Sequence, residues 1–220
     1  MHGDQLRSTL LLTCGLLTDA QVLGWLSSVS PWPVPSGYVT SMRMSLSTTV
    51  LLVILEAFSI QTVYSMIKVK PRLYVTGWAA TMFNNIVMGP FVGMVAFGLL
   101  CVPELDPWAS VRAAIGTTIV HTLGYYTAHR AMHTKALYWA HSFHHQFNTH
   151  VVPSAANAVS FAEYFIAYML PFILGCVVCR PDAKALYAAI ALISFTNLLI
   201  HTPVRSPVSV SAPFAFSSLS

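Results

Sequence analysis

The sequence predicts an all-α fold, a polytopic transmembrane helix bundle with a histidine-rich helical cap on one side. Three observations predict it. The 220 residues are 55% hydrophobic and only 8% charged, whereas a soluble domain carries about 25% charge. The mean hydropathy is +0.65, and several stretches approach the roughly 20 apolar residues that a spanning helix needs. Seven of the nine histidines crowd between residues 121 and 150. The net charge of +4 comes from few residues and has no basic run. It reads as loop bias, not as a nucleic-acid surface.

In chain order, residues 9–27 form a weak apolar stretch interrupted by Asp19. They read equally as a poor span, a surface segment or a signal sequence behind Arg7. SPWPVPSG, 30–37, is a proline-rich linker. Residues 46–67 give the clearest predicted span. The stretch 78–101 holds Asn84, Asn85 and Pro90, so a kinked helix or a re-entrant hairpin is expected there. A fourth stretch, 109–128, runs into the histidines. The stretches 161–179 and 184–200, joined by the short CRPDAK, predict a helical hairpin. Residues 204–220 mix Ser, Pro and Ala without periodicity and are expected to be poorly ordered. The predicted division is therefore an N-terminal segment 1–45, a membrane domain 46–203 and a tail 204–220.

Charge sets the expected orientation. KVKPR, 68–72, reads as cytosolic, and the acidic VPELDP, 102–107, as the opposite side. The chain then returns at His129, and the last hairpin ends at His201 on the histidine side. The four cysteines, Cys14, Cys101, Cys176 and Cys179, sit in apolar surroundings. Cys176-x-x-Cys179 has redox or zinc spacing, but FILGCVVC reads better as buried small residues.

The histidine spacing carries the chemistry. His129 and His133 are four apart, and so are His141 and His145. On a helix each pair shares a face and can clasp one metal ion. His144 adjoins the second pair, and His121 and Tyr125 continue the first face by whole turns. One straight helix cannot unite the pairs, because twelve residues span about 18 Å. The chain must bend, with Thr134 as the expected N-cap of a second helix. Interfacial histidines or a two-histidine haem site leave most of the rings unexplained. A zinc peptidase is disfavoured because Arg130 stands where its glutamate base would be.

HRAMH, then Leu137-Tyr138, then HSFHH resembles the fatty acid hydroxylase/sterol desaturase superfamily of membrane non-haem di-iron oxygenases. YYTAHR before the first box and FAEYF after the second extend the likeness over roughly 115–203. The resemblance implies two irons held by histidines on the cytosolic face of the endoplasmic reticulum. It implies O₂-dependent hydroxylation or desaturation of a lipid C–H bond in lipid biosynthesis. Electrons would come from cytochrome b5 or an NAD(P)H-dependent reductase. Carried over by motif, the metal ligands are His129, His133, His141, His144, His145 and His201. His121 and Glu163 are candidates for supporting the ligands, and His150 has no counterpart.

Two departures shape the expectation. Thr122 stands where the family usually has an acid, and no histidine follows His201, where the family has a further H-x-x-H-H box. The ligand supply therefore predicts a weakened or single-ion site instead of a full two-iron centre. Two functional readings result: a membrane lipid oxygenase, and a catalytically incompetent, truncated relative that acts as a membrane binding or structural protein. The lipid itself is not legible: sterol, fatty acyl, sphingoid and carotenoid substrates all fit.

Overall fold

The computed structural model describes residues 18–30 and 33–203. The tail 204–220 and residues 9–17 of the weak stretch, with Cys14, lie outside the described residues. The described chain is a helical bundle without strands. In order, α1 covers Asp19–Val29, α2 Ser36–Phe58, α3 Ile60–Val69 and α4 Pro71–Leu100. Then α5 covers Pro107–Met132, α6 Tyr138–His145, α7 Phe161–Cys179 and α8 Ala183–Ile200. Helices α2, α4, α7 and α8 are long and apolar enough to cross a membrane. α5 matches them in length but carries Arg112, His121, His129 and Arg130.

The clearest predicted span is displaced. α2 starts in the expected linker at Ser36 and ends at Phe58, and Ser59 separates it from α3. Hydropathy undervalues the polar opening SGYVTSMRMS, yet its small residues are what pack. Gly37, Ser41 and Ser45 repeat every fourth residue, Gly37 against the Met94–Gly98 backbone of α4, Ser41 against Gly93 and Ser45 against Gly89. A Cβ on Gly93 would stand 2.0 Å from the Ser41 Oγ, and one on Gly89 3.1 Å from the Ser45 Oγ. Such small-residue seams let helix backbones approach in lipid, where no hydrophobic effect drives them together.

α4 is one continuous helix, not a hairpin. Its extra length is absorbed by two wide turns, Phe83–Met88 and Ala96–Leu100. A third wide turn, Tyr164–Met169, opens α7. Pro90 and Pro171 each follow a wide turn by two residues. A proline lacks the N–H that closes a regular turn, and the widened ladder accommodates it.

At the end away from the histidines, Asp106 caps α5, and Asp182 caps α8 through Ala185 N. Asp182 also accepts from Ser110 Oγ (2.7 Å) and Leu105 N (3.2 Å). Lys184 is paired with Glu104. Arg180 closes α7 in the left-handed region, φ 47°. At the opposite end Lys70 Nζ donates to Gln146 O and Thr149 Oγ1. The 68–72 basic run therefore lies on the histidine side.

Between α6 and α7 the chain is irregular but buried over 152–159. Non-helical backbone at this depth is tolerated only when protein groups satisfy it. Glu56 of α2 accepts from Ser154 N (3.2 Å), Tyr74 Oη and Trp78 Nε1. Thr81 Oγ1 donates to Ser154 O, and Asn84 Nδ2 to Asn157 O and Val159 O. Asn157 Nδ2 donates to Asn85 Oδ1. The Asn84-Asn85 pair expected to mark a kink thus anchors a loop from the wide turn of α4.

Candidate metal centre

α5 ends one residue before His133, so His129 and His133 occupy its last exposed turn. The chain then reverses. Thr134 is not an N-cap, since Leu137 holds that position. Instead the Thr134 carbonyl accepts from Leu137 N and Tyr138 N, closing a tight turn. α6 folds back and brings its histidines over the end of α5.

Four rings converge. His129 lies 5.1 Å from His133 and 4.4 Å from His141, centroid to centroid. His133 is 4.9 Å from His141 and 4.8 Å from His145, and His141 is 4.4 Å from His145. His129 Nε2 faces His133 Nε2 at 3.3 Å. Donor nitrogens of His129, His133 and His141 all lie within 4.8 Å of one another. Nitrogens sharing one ion at about 2.1 Å are at most ~4.2 Å apart, a spacing this cluster approaches. On the far side of His141, His144 stands 5.4 Å from it and 5.5 Å from His201. The end of α8 therefore joins the cluster, as the topology predicted.

Other groups orient the rings. Glu163, in the first turn of α7, accepts from His141 Nδ1 at 2.7 Å, and both side chains are essentially inaccessible. Ser160 ties this turn to α6: its hydroxyl donates to Ala140 O and caps α7 by accepting from Glu163 N. His201 Nδ1 donates to Asn197 O at 2.8 Å, and His129 Nδ1 meets the Tyr125 hydroxyl at 3.3 Å. A ring held at Nδ1 presents Nε2 as a lone pair, which is how proteins fix a metal-binding tautomer.

The donor set fits a metal ion. His141 Nε2, His144 Nδ1 and His145 Nε2 are buried without a hydrogen-bond partner. Buried polar atoms are rarely left so, and a cation supplies the missing partner. Burial, reinforced by neighbouring rings, pushes His144 down to about 3. Burial likewise lowers His133, His145 and His201. These shifts favour the neutral form of His133, His144, His145 and His201, the form that ligates iron, zinc or copper.

Three expected positions fall elsewhere. His121 stacks on Tyr125 at 6.3 Å. It precedes His129 by eight residues, about 12 Å of helix, and lines an internal cavity instead of the cluster. His150 meets Thr149 Oγ1 on an exposed turn. Thr122 donates to Thr118 O on an exposed face, so Glu163 orients a ring where Thr122 does not. The residues missed from the sequence are Glu56, Ser160 and Asn197. Glu56 had a visible signal, a lone acid inside an apolar run.

Residues 114–218 match the fatty acid hydroxylase family, and the HRAMH and HSFHH boxes lie inside that match. The match supports placing this part of the chain in that family. It is also 27% identical over 88 residues to fatty acid hydroxylase ahd1 of Mycosarcoma maydis, covering 40% of this chain and 21% of the relative. The chain therefore spans about a fifth of that relative's length. No solved structure matches. All the converging histidines fall within the matched region, whereas α2, α3 and α4 precede it.

Proposed function

We propose that this protein is an integral-membrane, iron-dependent oxygenase that hydroxylates or desaturates a lipid C–H bond with O₂ in lipid biosynthesis. One observation carries the reading: neutral imidazoles converge at one end of an apolar bundle with buried nitrogens that no protein group satisfies. His129, His133, His141 and His145 would hold one ion. His144 and His201 are the ligands available to a second, and among the described residues they are too few to complete it. We therefore infer one firmly held ion and a weaker second position. Bound iron supplies the O₂ and redox chemistry, which protein side chains lack.

The chain's own residues supply the rest. Glu163 keeps the proton of His141 on Nδ1 and the ring aimed at the ion. The Tyr125 hydroxyl and the Asn197 carbonyl do the same for His129 and His201. His141 and Glu163 are closed off from water, while His133 leaves the centre open on one side. Outward-facing apolar side chains such as Leu123, Val178 and Ile200 meet lipid, so a substrate can reach the bundle sideways. Lys68, Lys70, Arg72, Arg130 and Lys135 gather at the histidine end, which favours a cytosolic orientation in the endoplasmic reticulum. There a cytochrome b5 or an NAD(P)H-dependent reductase would deliver electrons.

The test is iron and zinc per chain in purified protein, with a His129→Ala/His133→Ala control. At least one iron per chain, lost in the control, is expected. Absence of iron from both would sink the oxygenase reading and leave the domain a non-catalytic membrane protein.

A further inference from the structure

A cavity of about 120 Å³ lies mid-bundle between α2, α4, α7 and α8. Its wall towards the metal centre is a pair of tyrosines. Tyr168 lines the cavity and packs edge-on against Tyr125 at 5.0 Å, and the Tyr125 hydroxyl reaches His129. Towards the bilayer the cavity continues into a groove of about 660 Å³ between α2 and α8, and Met44, Thr48, Ile190 and Ser194 line both. The groove runs along Leu51, Leu192 and Phe195, with Arg43, Ser47 and Tyr187 also in its lining. Its size lies within the range of small-ligand sites, roughly 300–1,000 Å³.

The cavity's hydroxyls are unusual. A serine or threonine inside a helix ordinarily donates to the carbonyl four residues back. Ser41, Thr49 and Thr196 do so. Ser45, Thr48 and Ser194, which face the cavity, make no hydrogen bond with any described residue, and neither does the Tyr164 hydroxyl. Four unpaired hydroxyls at membrane depth are costly unless a ligand meets them. No Asp, Glu, Lys or Arg lines the cavity. Arg43, at one end of the groove, is already engaged by Asp19 at 2.9 Å and Tyr187 at 2.8 Å. A carboxylate or phosphate therefore finds no free counter-charge. A ligand hydroxyl, both donor and acceptor, matches this lining.

We propose that the cavity binds the hydroxyl end of a neutral long-chain lipid, among Ser45, Thr48, Tyr164 and Ser194, with the lipid body lying in the α2–α8 groove. The site joins Ser45 and Thr48 of α2, outside the family match, to Tyr164 and Ser194 inside it, so both halves of the chain would contribute to substrate choice. The proposal rests on the oxygenase reading only in naming this lipid as the substrate.

The test uses the full chain in phosphatidylcholine nanodiscs and three photoreactive diazirine probes of equal chain length: a primary alcohol, its methyl ether and the carboxylic acid. The alcohol is expected to label α2 and α8 most strongly, with labelling of ether and acid weaker by roughly tenfold. Thr48→Val/Ser194→Ala should bring the alcohol down to the ether's level. Equal labelling by the three probes in the unaltered protein overturns the proposal, whether or not the variant folds. So does a variant that labels like the unaltered protein. Labelling should persist in His129→Ala/His133→Ala, and its loss there would overturn the site as drawn. Iron content separates the two ideas. No iron with hydroxyl-selective labelling defeats the oxygenase reading alone, and iron without selectivity defeats this site alone.

Discussion

The chain's two halves are held by different chemistry. In residues 36–100, two helices close on a seam of Gly and Ser, with backbones nearly touching. In residues 107–201, helix ends and a tight turn gather polar rings that lack protein partners. The first half has no place in the metal centre, yet it grips the buried 152–159 segment that follows α6, through Glu56, Thr81 and Asn84. The contrast teaches that the half with the recognisable motif does not hold its own geometry. The bundle clamps it from outside.

The largest effect should come from breaking the seam. In Gly93→Leu, the new side chain starts where Ser41 already stands, with Cβ 2.0 Å from its Oγ and 2.5 Å from its Cβ. Neither helix can yield without losing the Gly89 contact one turn away. Purified protein should show no monodisperse peak and reduced helicity. Adding Ser41→Gly should recover part of the folded fraction, and failure to recover any would place the defect outside the seam.

Next comes the clamp. Glu56→Ala removes one carboxylate and strands three donors, the Tyr74 hydroxyl, Trp78 Nε1 and Ser154 N. Each buried donor left unmet costs about 1–3 kcal/mol, so a loss of at least roughly 3 kcal/mol in stability is expected. Thermal unfolding in detergent measures it. The sharper expectation is that whatever protein remains folded keeps its metal, because Glu56 touches no histidine. A fall in Tm accompanied by complete metal loss in the folded fraction would show that clamp and centre are one unit.

Glu163→Gln reverses that pattern. The glutamine oxygen can still accept from His141 Nδ1, so the fold should survive with little change in Tm. The negative charge that raises the ring's ligand strength is gone. Metal affinity should fall by about 10–100-fold, the usual effect of losing such a supporting carboxylate. A competition titration with a chelator of known strength reads it. Unchanged affinity would mean that Glu163 only fills space.

These expectations track what the sequence made legible. The histidine pairs were readable because four-residue spacing fixes a helix face without any tertiary knowledge. His201 was placed correctly because counting crossings brings its helix end back to the cluster. α7, 161–179, was read to the residue and α8 to within one, since both are apolar throughout. α2 was misplaced by ten residues because its packing rests on small polar residues that hydropathy discounts. Glu56, Ser160 and Asn197 were missed for a related reason. Their partners are backbone groups of distant segments, and nothing local in the sequence names them. His121 lies about two turns along α5 from His129, a separation that a shared helix face does not reveal.

The smallest effect concerns pH, and it tests whether the second half's rings are a buried set or separate surface groups. An ordinary imidazole, pKa near 6.5, is about three-quarters protonated at pH 6. Four such ligands would lose metal affinity on the order of a hundredfold between pH 7.5 and 6. Burial holds His133, His145 and His201 below their ordinary value and His144 down at about 3. Protons therefore compete weakly, and affinity over that range should change by less than about tenfold. The metal-free fold should respond in the opposite way. His133, His144, His145 and His201 resist protonation in the fold while those of the unfolded chain take up protons below about 6.5, so the unfolded state binds more protons and stability falls as pH drops from there. Flat metal affinity beside a declining metal-free Tm is the signature of a buried, ligand-ready cluster. A steep affinity loss with a flat Tm would put the rings in water, and their convergence would then have no consequence for binding.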